Sequence, residues 1–213
     1  MPSIFIKENQ DVKYLDLTSN ENWSQELAQC TLEDGISQIY LDRNKIEDIS
    51  GSENNLIVLQ DNLTFLDLSF NFLRDIPDSF SKLSQLKELN LASNRLEILP
   101  KCLFQLKNLE ILHLGRGEYS EIPDEMSNLQ NLRYLTLASK KSIQKVPMCV
   151  YELQNLEELN LLEFESAEGV LENISKLTNL KKFSFSGTNM TGADMKAFSI
   201  EISKVLPNGC EII

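Results

Sequence analysis

Histidine is almost absent from this 213-residue chain, where His113 stands alone. That excludes any site built on two or more histidines, metal-binding or catalytic. The four cysteines (Cys30, Cys102, Cys149, Cys210) lie far apart with no CxxC pair, so neither a zinc site nor a disulfide framework is legible. They read as reduced, mostly buried thiols, and the expected location is cytoplasmic. No stretch approaches the roughly 18 consecutive apolar residues of a membrane span. The opening MPSIFIKENQ has no basic segment leading into an apolar run, so no signal peptide is expected. Secretion would then fit a trimmed chain or a signal-independent route. Positive charge is also short: 20 lysines and arginines face 32 aspartates and glutamates, a net charge of −12. A chain this acidic repels phosphate backbones and anionic lipid, which argues against nucleic-acid partners and membrane insertion. The phosphate-binding loop, dinucleotide-binding, HExxH and GxSxG signatures are all missing. No catalytic residue, no metal and no cofactor is expected, and the chain reads as a non-enzyme.

What is present is the composition of a folded protein, 42% hydrophobic and 24% charged. It is arranged as a repeat. LTFLDLSFNFLRDIPDSFSKLSQ from Leu63, LKELNLASNRLEILPKCLFQLKN from Leu86 and LEILHLGRGEYSEIPDEMSNLQN from Leu109 superpose at a period of 23 residues. Leucine falls at positions 1, 4 and 6 and proline at 15 in all three, and the first two add asparagine at 9 and leucine at 11. Extending the register gives unit starts at Val12, Ile36, Leu63, Leu86, Leu109, Leu132, Leu156 and Leu180.

Leu63, Leu66, Leu68, Asn71 and Leu73, followed by Leu86, Leu89, Leu91, Asn94 and Leu96, match LxxLxLxxNxL without a break. The chain therefore resembles the leucine-rich repeat family. The proline step at Pro77, Pro100, Pro123 and Pro147 with the following FxxLxxL resembles its bacterial and intracellular typical-length classes. The resemblance implies an α/β solenoid, a curved right-handed superhelix with a parallel concave sheet and short helical or 3-10 convex segments. It also implies protein–protein interaction as the usual role, with a host-facing or signalling partner if the source is bacterial.

Physical reading of one unit agrees. Leu66-Asp67-Leu68 alternates apolar and polar residues, as a half-buried strand does. Asn71 can turn its amide inward onto backbone groups of the tight turn. Ile76, Phe80 and Leu83 continue the core at helical spacing, and stacked units share it. The expected organisation is a cap over residues 1–11, eight repeats over 12–191 and a capping helix with a short strand over 192–213. At the ends, Ile4 and Ile6 suggest a brief strand. Met195, Phe198, Ile202 and Val205 suggest a helix, and Cys210 and Ile212 are expected to point inward. Asparagine holds position 9 in the first four units (Asn20, Asn44, Asn71, Asn94) but gives way to Gly117, Lys140, Phe164 and Thr188. The sixth and seventh units each carry one extra residue, so looser, irregular turns are expected from Gly115 to Glu168.

Outward concave positions are where a partner would bind. Tyr14, Tyr40 and Phe65 are expected to form one aromatic patch, which Phe70 and Phe72 extend and Asp16, Asp67 and Arg43 flank. Ile111 and Tyr134 form a second contact near His113 and Arg116. Grouped exposed aromatics with a few charges have the composition of a binding hot spot. The alternative for the rings is packing on one another across strands. The seventh unit, with six glutamates against Lys176, reads either as a steering patch for a basic partner or as a solvated face. The expected function is a monomeric, non-catalytic module that binds a protein or peptide. A self-associating scaffold and a glycan or small-ligand receptor are the alternatives.

Overall fold

A computed structural model describes residues 6–9 and 12–213. The chain stacks as a solenoid on one sheet of ten strands in sequential order. These are β1 (Ile6–Asn9), β2 (Val12–Asp16), β3 (Ile36–Tyr40), β4 (Phe65–Asp67), β5 (Glu88–Asn90), β6 (Ile111–Gly117), β7 (Tyr134–Ile143), β8 (Glu158–Phe164), β9 (Lys182–Gly187) and β10 (Glu211–Ile212). β1 runs antiparallel to β2, and every later pairing is parallel. Ile4 lies outside the described residues.

Each repeat closes the same way. Leu63, Leu66, Leu68 and Leu73 are fully buried, as are Leu86 and Leu89 one unit on. A leucine moved from water to full burial is worth about 1.5–3 kcal/mol, so the repeated leucines carry the stack. Pro77, Pro100, Pro123 and Pro147 each cap a single 3-10 turn: Asp78–Lys82, Lys101–Gln105, Asp124–Asn128 and Met148–Glu152. Proline suits that place because its fixed φ matches the turn and no N–H is wasted. Short α-helices replace the turn in the early and late units: α1 (Trp23–Leu27), α2 (Glu53–Ile57) and α3 (Val170–Asn173). The insertion at Gly51–Asn54 leads into α2. After the repeats, α4 (Gly192–Val205) lays Phe198 and Ile202 on the last unit, opened by a Thr191–Asp194 capping box.

Asparagine 71 does what its position requires. Its Nδ2 donates to the carbonyls of Leu41 and Leu68 (both 2.9 Å), and its Oδ1 accepts the N–H of Asn44 (2.9 Å) and Ile46 (3.0 Å). Asn94 and Asn44 donate likewise to the position-6 carbonyls of their own and the preceding unit. Asn20 departs from the expected ladder. Its Oδ1 accepts the N–H of Asn22 within its own turn (2.8 Å), and Oδ1 of Asn44 is left buried without a partner.

Beyond Asn94 the irregularity expected from the sequence takes the form of register shifts between longer strands, at Leu114–Gly117, Ala138–Ile143 and Leu161–Phe164. β4 and β5 have three residues each, whereas β6 has seven and β7 has ten. At the ends of β4 and β5, Asp67 and Asn90 accept the N–H two residues on, from Ser69 (2.8 Å) and Ala92 (3.1 Å), and the chain bends there. Past His113, Thr136 and Asn160 at the same position pairing continues, through register shifts at Leu114–Gly117, Ala138–Ile143 and Leu161–Phe164.

The missing amide is replaced from an unexpected place. Tyr119, at a leucine position, is fully buried and turns its hydroxyl into the space the asparagine would fill. That hydroxyl donates to the Leu114 carbonyl (2.8 Å) and accepts the N–H of Ala138 (3.2 Å). Glycine at 117 is what admits the ring, because a Cβ there would sit 2.6 Å from Tyr119 Cδ1. Further along, buried Phe164 fills position 9 with an apolar ring and packs through Phe185 (6.5 Å) to Phe198 (5.0 Å).

The terminal strand corrects one expectation: Ile212 is exposed and Cys210 only half-buried, because β10 lies at the sheet's edge.

Candidate functional site

Strand alternation turns positions 3 and 5 of each unit away from the core. The observed register aligns them into two rows. One runs Tyr14, Gln38, Phe65, Glu88, Ile111, Tyr134, Glu158, Lys182, and the other Asp16, Tyr40, Asp67, Asn90, His113, Thr136, Asn160, Ser184. Tyr14, Tyr40 and Phe65 are in ring contact, the first pair edge-on at 5.9 Å and the second tilted at 4.8 Å. All three are half-buried, and the Tyr40 hydroxyl donates to Gln38 Oε1 (3.3 Å).

Phe70 and Phe72 do not extend that row. Each takes an arginine instead: Arg43 stands 4.9 Å from the Phe70 ring centroid, and Arg95 4.2 Å from that of Phe72. For Phe70 the local backbone contributes. Arg43, Phe70 and Arg116 share position 8, where φ is +60°, +54° and +58°, a left-handed kink that swings the side chain off the strand line. Their backbone is held there by the next unit, through Arg43 N–H to the Ser69 carbonyl (3.1 Å) and Phe70 N–H to the Ala92 carbonyl (2.9 Å). Phe70 is 48% exposed, and Phe72 is half-buried.

Charge on this face is one-sided near the rings. Oδ1 of Asp67 closes the turn at Ser69, and its Oδ2 accepts from Asn90 Nδ2 (3.2 Å). Glu88 sits between Phe65 and Ile111 in the register. Burial and the Asp67 charge push its carboxyl above the usual range. Burial also pushes the Tyr40 hydroxyl up, with Glu88, Tyr14, Asp67 and Asp16 adding to it. His113 is held down by burial against the opposing pull of Asp67 and Glu158, so its ring is neutral at neutral pH, with Nδ1 3.3 Å from Thr136 Oγ1. Ile111 and Tyr134 are register partners beside it, and Arg133 lies 5.6 Å from the Tyr134 ring centroid.

A second surface went unread in the sequence. Lys87, Glu110, Arg133, Glu157 and Lys181 occupy position 2 of five successive units and alternate in sign. They pair in a chain: Lys87–Glu110 at 3.3 Å, Glu110–Arg133 at 3.9 Å, Arg133–Glu157 at 2.7 Å and Glu157–Lys181 at 2.7 Å. Beside them Asn108, Asn131, Asn155 and Asn179 each donate to a carbonyl of the preceding unit, at 2.8–2.9 Å. Together they line a groove of about 590 Å³ at the start of the strands. Its signal was a charge alternation at spacings of 23, 23, 24 and 24 residues, visible only when position 2 is read down the repeats. The seventh unit is correspondingly less acidic in effect, because Glu157 is bridged on both sides and Glu158 lies 3.8 Å from Lys182.

The family model for a leucine-rich repeat region matches residues 61–206. The chain belongs to the leucine-rich repeat family. Toll-like receptor 2 of Bison bison is 27% identical over 108 residues, 49% of this chain and 14% of the receptor, so the chain matches a small part of that relative. Among solved structures, the internalin inlF of Listeria monocytogenes superposes with a TM-score of 0.68 at 20% identity, covering 96% of this chain and 58% of that one. Internalin C2 from the same organism gives 0.63 at 20% identity, over 84% and 76%. These likenesses establish the fold. Leucine-rich repeat solenoids generally serve protein–protein interaction, using the extended concave surface that stacking creates. In this leucine-rich repeat protein the concave face carries half-buried rings beside Asp67 and Glu88, which have no ion pair among the described residues, while the strand-start groove has its charges engaged with one another.

Proposed function

We propose that the chain is a non-catalytic binding module whose concave face takes a protein or peptide partner. Tyr14, Tyr40 and Phe65 form the centre, Asp16, Asp67, Arg43, Phe70 and Phe72 its flank, and Ile111, His113, Arg116 and Tyr134 a second contact. The observation that carries this reading is the ring row Tyr14–Tyr40–Phe65, continuous across three strands of one sheet. Strands hold these side chains in place before a partner arrives, so little ordering entropy is lost on binding. Aromatic anchors of this kind dominate measured interface energies.

The test is affinity capture from a lysate of the source organism. Wild type is compared with a Tyr40→Glu, Phe65→Glu, Phe70→Glu variant shown by circular dichroism to be folded. A protein retained by wild type and lost by the variant is the expected result. Equal retention by both removes the concave rings from the interface.

A further inference from the structure

We propose that the concave face around Tyr40, Phe65, Asp67 and Glu88 receives a lysine or arginine side chain carried by an extended segment of the partner. This rests on the concave reading above and specifies its chemistry. Glu88 is the decisive residue. It lies in the sheet register between two apolar neighbours, Phe65 and Ile111, and its carboxylate has no hydrogen bond and no ion pair to any other described residue. Diagonally across is Asp67, whose hydrogen bonds to Ser69 and Asn90 leave its negative charge uncompensated. Two carboxylates thus adjoin with no cation between them.

Along the neighbouring edge of the same strands the charges are paired. Lys87, Arg133 and Lys181 alternate with Glu110 and Glu157 along the strand-start edge. Lys182 lies by Glu158, Arg43 by Asp42 and Phe70, and Arg95 over Phe72. The side of Glu88 away from Asp67 faces position 3 of the next unit, which is Ile111 and not a lysine. A cation brought in by a partner would meet two carboxylates and the tilted Tyr40–Phe65 pair, whose rings attract positive charge and pack against the alkyl stem. Burial of half of Glu88 strengthens that attraction relative to open solvent.

Fluorescein-labelled decapeptides of one sequence, with arginine, glutamine or glutamate at alternate positions, serve as probes in fluorescence anisotropy. The arginine peptide is expected to bind wild type about tenfold or more tighter than the glutamine peptide. Asp67→Asn with Glu88→Gln is expected to weaken it by about tenfold, and Glu88→Gln alone, which breaks no hydrogen bond, by about threefold. A charge-matched control, Glu165→Gln with Glu168→Gln, should change it less than about twofold. Equal losses in the two double variants would reduce the effect to net charge and overturn the proposal. So would no binding of the arginine peptide at millimolar concentration. If arginine and glutamine peptides bind alike and both are lost in Tyr40→Ala, the cation is wrong while the concave surface stands. If wild type doubles its mass by sedimentation and the Asp67/Glu88 variant does not, the occupant is a second copy and the proposal falls.

Discussion

Two buried tyrosines separate what a hydroxyl is worth here. Tyr119 bonds the backbone at Leu114 and Ala138, whereas the Tyr151 hydroxyl is buried with no partner. Removing a bonded group strands its partners, but removing an unbonded one relieves a desolvation cost. Tyr119→Phe is therefore expected to destabilise by about 1–3 kcal/mol and Tyr151→Phe to be neutral or stabilising, as urea denaturation of both would read. Glu88 makes a prediction of opposite character. Its carboxyl titrates above the ordinary range in the fold, so between the ordinary and the raised value the folded chain holds more proton than the unfolded one. Stability falls as pH rises through that window, and above it the ionised carboxylate is a constant cost. Glu88→Gln should raise the thermal midpoint at pH 7, with the gain vanishing below the ordinary carboxylate range. A residue that weakens the free fold fits one kept for a partner.

Among elements, the position-9 turns are not equivalent. Asn71 satisfies backbone groups of two units, while Asn20 only bends its own turn. Asn71→Ala is expected to cost more than about 3 kcal/mol and Asn20→Ala about 1 kcal/mol, measured by chemical denaturation. A ratio near one would mean the ladder is not what joins the units. Where Gly117 replaces the asparagine the backbone groups still need partners, and the Tyr119 hydroxyl supplies them. The position-2 charge ribbon sits on the surface, where ion pairs contribute little to stability. Its consequence is that the strand-start edge presents paired charges, whereas Asp67 and Glu88 on the concave face have no ion pair among the described residues.

Over the whole molecule, the solenoid seals its interior except at its last edge. Cys30, Cys102 and Cys149 are buried, and their thiols are pushed up to about 11 by burial and nearby carboxylates. Cys210 stands half-buried beside the edge strand. Iodoacetamide on the native protein should label Cys210 first and the other three only in denaturant, as mass spectrometry of digests would show. The net charge of −12 adds a long-range component to any basic partner's approach. Its association rate is expected to fall steeply as salt rises from about 50 to 500 mM, with the dissociation rate changing far less.

A leucine every few residues, repeated at 23, was enough to specify strand, turn and stacking, because burial and backbone periodicity are local properties that any unit displays. The register of the concave rows followed too, since identical units stack in identical phase, and Tyr40 met Phe65 as the spacing implied. Other features depend on contacts between units that no single unit contains. Tyr119 reaching across Gly117 into a missing asparagine's place is one. The left-handed kink at Phe70, held by the Ala92 carbonyl of the next unit, is another. Glu157 bridged from both sides is a third. Such contacts arise where neighbouring repeats differ, and a difference has meaning only once the fold has set which residues are neighbours.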